Sequence, residues 1–104
     1  MNQFWKLVTD ARWQEDLNVL EQARALHDQM VRDENAKYSE IVDEIDRVNR
    51  EDQPEVNEMA RIYLNSLNYD LTAIKRDQAR RLENLEGTKK TIELINSWDE
   101  QIKA

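Results

Sequence analysis

One proline, Pro54, and one glycine, Gly87, are the only strong backbone breakers in 104 residues. Sheet-containing folds turn every ~8–12 residues and draw on Gly, Pro, Asn-Gly and Asp-Gly to do so. A chain with so little turn chemistry is left with an all-α fold.

The breakers also suggest how the helices are divided. In "EDQPEV" at 51–56, Asp52 or Gln53 can cap a helix and Pro54 fits its first turn. Glu55 and Glu58 suit the positive end of its dipole. This predicts a helix over 3–50, a break at 51–54 and a helix over 54–103, within a single helical domain spanning 1–104. Before the break, Trp13, Leu17, Leu20, Val31, Tyr38, Ile41, Ile45 and Val48 share one heptad frame. After it, Ala60, Leu64, Leu67, Leu71, Ile74, Leu85, Ile92, Ile95 and Ile102 share a second. The pattern predicts a long antiparallel helical hairpin, coiled-coil-like. "RDENA" at 32–36 and Gly87 are weaker punctuation, and breaks there would subdivide it into a three- or four-helix bundle.

Both frames falter midway. The first brings Arg24, His27 and Glu34 onto the seam, and the second brings Gln78 and Arg81. Ala23, Leu26 and Met30, with Ala79 and Leu82, fall on a neighbouring stripe. A straight helix drifts ~20° per heptad, which would carry the burying face round in this way. For a hairpin folded at Gln53, residue i faces residue 106 − i by counting, so the two irregular stretches lie opposite each other.

Composition narrows the function classes. With no cysteine, there is no disulfide framework, thiolate zinc site or iron–sulfur cluster, which fits an intracellular, cytoplasmic protein. Lys6, Asp10 and Arg12 interrupt the apolar residues of the N-terminus too early for a signal peptide. No run approaches the ~20 apolar residues of a membrane span. A net charge of −7 argues against nucleic acid or an anionic membrane as the main partner. Neither a cofactor nor a metal is expected, because the chain lacks a glycine-rich phosphate loop, an EF-hand loop and Glu-x-x-His pairs. His27 is the only histidine and has no nucleophile constellation around it, so it reads as structural or solvent-exposed. No enzymatic activity is expected.

Two charged surfaces are candidates for recognition. Lys75, Arg76, Arg80 and Arg81 in "KRDQARR" could meet an acidic protein or a phosphate backbone, although Asp77 sits among them and no aromatic is interleaved for stacking. Glu40, Asp43, Glu44 and Asp46 would suit a helix that mimics nucleic-acid charge in a basic groove.

Apolar mass is concentrated at the two ends instead. "NQFWKLVTDARW" holds Phe4, Trp5, Val8 and Trp13, and "TIELINSWDEQI" holds Leu94, Ile95, Trp98 and Ile102. In the hairpin, residue 5 faces about 101, so the two sets meet. A two-helix seam accepts about two residues per heptad, which leaves several of them exposed as a contact surface. The expected function is a non-enzymatic protein–protein interaction module: a structural or assembly subunit or adaptor that binds another protein or itself. An acidic inhibitor of a nucleic-acid-binding groove, and a small chaperone for a partner's amphipathic helix, are the alternatives.

Overall fold

A computed structural model describes residues 2–103 and is all-α: α1 spans Gln3–Gln14, α2 Leu17–Glu51 and α3 Glu58–Lys103. No strand occurs among the described residues. Two compact units divide the chain, one made of Met1–Met30 with Ala79–Ala104 and the other of Val31–Gln78.

The expected helix over 3–50 is divided. Asn2 caps α1, its Oδ1 accepting from the Phe4 N–H at 2.8 Å. Glu15 ends the helix in the left-handed region at φ 53°, its N–H donating to the Ala11 carbonyl. Asp16 then caps α2, its Oδ1 accepting from the Asn18 N–H at 2.8 Å. This two-residue turn uses neither glycine nor proline, so the chain reverses where composition gives no signal. The two weaker punctuation points leave the helices unbroken, as in the long-hairpin reading: residues 32–36 lie within α2, and Gly87 lies within α3.

The first unit is therefore a three-helix core rather than a two-helix seam. Phe4, Val8 and Ala11, at helical spacing on α1, are buried with Leu20 and Ala23 of α2 and with Leu85 and Ile92 of α3. Leu26 and Met30 pack partly buried against that cluster. The neighbouring stripe on α2 thus has a cause other than helix drift: α2 must bury one face against α3 and another against α1. His27 and Arg81, which the heptad frames put on the seam, are indeed buried, and the His27 ring lies 5.7 Å from Phe4. α1 folds back along α2, with Phe4 beside His27, and runs parallel to α3, with Trp5 beside Arg80 and Arg12 beside Thr88, so α2 and α3 are antiparallel here. Arg24 Nη2 meets Glu86 Oε1 at 3.0 Å, several residues beyond the position 82 that counting predicts.

The second unit is a helical hairpin. Ile41 and Val48 of α2 are buried with Ala60 and Leu67 of α3. Its turn occupies residues 52–57, longer than the expected break. Gln53 takes the left-handed conformation at φ 51°, and its carbonyl accepts from the Val56 and Asn57 N–H groups at 3.1 and 2.9 Å. Asn57 is the cap of α3, accepting from the Ala60 N–H at 3.2 Å. The helix therefore starts about one turn later than the expected Pro54, because the asparagine side chain supplies the acceptor the helix N-terminus needs. Glu58 falls in the first turn of α3, as expected, while Glu55 stays in the loop.

Candidate protein-interaction surface

Reversal at Glu15–Asp16 redistributes the residues expected to form one terminal surface. Phe4 is fully buried and Val8 nearly so; both belong to the core. Trp5 is half-buried, edge-on to Phe4 with ring centroids 4.9 Å apart, and the Arg80 guanidinium lies 5.3 Å from its ring centre. The expectation that Trp5 faces residue 101 is thus corrected: α1 turns back along α2, which carries Trp5 to the middle of α3.

The remaining members are exposed. Trp13, at the end of α1, is 84% exposed, and Ile102 is 82% exposed. Leu94 and Trp98 are also exposed, and Ile95 is half-buried. Leu94, Trp98 and Ile102 recur at i, i+4 and i+8, which places them in one row on α3. Counting seven residues back from Arg24 and seven on from Glu86 puts Leu17, the first residue of α2, opposite Glu93. The last turns of α3 therefore continue past the start of α2, and the row lies on that extension. Arg12 Nη2 donates to Thr88 Oγ1 at 2.9 Å, so the end of α1 lies beside α3 near Thr88. Ten residues, about 15 Å of helix, separate Thr88 from Trp98.

Of the basic set, Lys75, Arg76 and Arg80 are exposed and Arg81 is not. Lys75 Nζ lies 4.7 Å from the centre of the Tyr38 ring, and Arg76 Nε lies 3.9 Å from Asp77 Oδ1. Arg80 covers Trp5, and Arg81 is buried. Lys75 and Arg76 belong to one unit, Arg80 and Arg81 to the other.

The acidic set is split as well. Glu40, Asp43 and Asp46 are exposed. Glu44 instead accepts from the Arg47 side chain and from Tyr63 Oη, the latter at 2.8 Å. The Arg47 hydrogen bond, with help from Tyr63, holds the Glu44 carboxyl below its ordinary range, and the same contact with Glu44 pushes the Tyr63 hydroxyl up. Arg47 Nη1 also reaches Glu51 Oε2 and Asp52 Oδ2, each at 3.4 Å. Glu44 thus ties α2 to α3 beside the turn.

Among the described residues no group of three or more His, Cys, Asp or Glu side chains could hold a metal ion, and no helix is long and apolar enough to cross a membrane. A shallow groove of about 590 Å³ is lined by Arg12, Asn84 and Thr88 among others, with Arg12 and Thr88 hydrogen-bonded to each other.

A further exposed apolar set escaped the heptad reading. Met59, Ile62 and Tyr69 of α3 are 74%, 54% and 66% exposed. Their spacing of three and seven was available in the sequence, but it was masked by the adjacent Ala60, Leu64 and Leu67, which carry the buried frame. No protein family, curated protein or solved structure matches the chain.

Proposed function

We propose that the chain is a non-enzymatic protein-interaction module, an assembly subunit or adaptor, that docks through the terminal turns of α3. The observation that carries this reading is the exposed row of Leu94, Trp98 and Ile102 on helix that extends beyond the start of α2. A contiguous apolar row on an otherwise highly charged chain is what a docking surface requires, and tryptophan is enriched among residues that dominate binding energy. Residues 93–103 carry three acids, Glu93, Asp99 and Glu100, against one base, Lys103. The partner that fits is a protein with an apolar groove and a basic rim.

Co-purification of the full chain from its native source, followed by binding measurements, tests this. The joint substitution Trp98→Ser and Ile102→Ser is expected to weaken the complex at least ~30-fold, the scale of a hot-spot loss. The exposed charge reversals Asp43→Lys and Asp46→Lys are expected to leave it intact. A complex lost on charge reversal but indifferent to Trp98, or no stoichiometric partner at all, overturns the reading; the first result would favour an acidic inhibitor.

A further inference from the structure

On the N-terminal half of α3 two apolar stripes run along different faces of the helix. Ala60 and Leu67, with the half-buried Leu64, Leu71 and Ile74, face α2 in the hairpin. At 3.6 residues per turn, Met59, Ile62, Ser66, Tyr69 and Ala73 form a second stripe about 140° round the helix. No charged side chain falls within it between Met59 and Ala73. An outward helix face in a chain with 36% charged residues would ordinarily be polar.

We propose that this stripe pairs with the same stripe of a second copy, antiparallel, about a two-fold axis level with Leu67 and Asn68. The argument for a second copy is that the stripe is complementary to itself in size and in charge. Met59, Ser66 and Ala73 occupy one core position of a heptad, and Ile62, Tyr69 and Arg76 occupy the other. Antiparallel pairing sets the first kind against the second. Ile62 then meets Ala73 and Tyr69 meets Ser66, so a large side chain faces a small one in each of these layers, and the two-fold repeats both. At each end Met59 lies under the aliphatic stem of Arg76 from the second copy. Glu58, next to Met59, is then beside that guanidinium, giving one opposite-charge pair at either end. Glu58 and Arg76 are both exposed.

Two paired helices of this length bury less than the ~1,600 Å² of a standard interface, in the size class of weak, transient contacts. The surface is separate from the Leu94–Trp98–Ile102 row, and its failure leaves that reading standing.

Sedimentation of the full chain over a wide concentration range tests the pairing. A reversible dimer is expected. Ile62→Asp, at an exposed position that leaves helix content unchanged, acts twice through the two-fold and should raise the dissociation constant at least ~100-fold. Glu58→Arg or Arg76→Glu alone should weaken the dimer severalfold, and the two together should restore it, because the pairs re-form with reversed sign. A chain monomeric at every concentration overturns the proposal. So does a dimer that survives Ile62→Asp, one that the double charge swap fails to restore, or one dissolved only by Trp98→Ser.

Discussion

Phe4→Ala is expected to lower the unfolding free energy by about 3–5 kcal/mol, the range for emptying a fully buried aromatic site. Phe4 sits in the three-helix core, edge-on to Trp5 and facing His27, with no surface exposed. Its loss removes the largest fully buried side chain of α1, and the lining from α2 and α3 can collapse only partly. Trp13→Ala gives the contrast: a larger residue of the same segment, almost fully exposed, whose removal should change stability by no more than ~0.5 kcal/mol. Urea unfolding followed by circular dichroism checks both. Equal effects at the two positions would mean that the N-terminal segment is not docked as described.

Ala36→Pro is the second large effect, expected to be about 3 kcal/mol or more. Ala36 is exposed within α2, so the substitution disturbs no packing; its effect is confined to the backbone. Proline removes the N–H of residue 36 and drives its ring against the carbonyl four residues earlier. Had the polar "RDENA" stretch formed a loop, as a four-helix bundle would need, proline would be tolerated. Thermal unfolding of the variant separates the two cases: a midpoint close to that of the parent chain would place a break in α2.

These two expectations mark where the sequence was legible. The all-α class followed from the scarcity of turn residues, and the seams of the second unit followed from Ile41, Val48, Ala60 and Leu67 at heptad spacing. The disturbed middle of the first frame was also visible, and it is where α1 packs: Ala23, Leu26 and Met30 belong to a core shared by three helices, whereas Ala79 and Leu82 of the second frame are exposed. Its cause was hidden because the reversal at Glu15 places a glutamate in the left-handed region, which carries no compositional mark. Trp13, Leu17 and Leu20 kept an apparent helical register across that turn, although Trp13 faces outward and Leu20 inward.

The candidate surface was legible in half. The C-terminal members, Leu94, Trp98 and Ile102, are exposed as their excess over a two-helix seam implied. Of the N-terminal members Trp13 is exposed, but Phe4 and Val8 lie in the core and Trp5 is half-buried, because counting from a hairpin at Gln53 cannot register a chain that has already folded back once. Met59, Ile62 and Tyr69 were passed over for a related reason. Two apolar stripes on one helix read as a single buried frame when only one partner is considered.

The fold-back of α1 builds the three-helix core, and the distance between residues 3 and 28 tests it directly. The chain has no cysteine, so spin labels on Gln3→Cys and Asp28→Cys, both exposed positions, report only that pair. With α1 packed along α2, dipolar spectroscopy should show a short separation set by the ~8–10 Å spacing of packed helices. A separation near 38 Å, about what 25 residues of unbroken helix span, would contradict the fold-back and return the N-terminal aromatics to the surface.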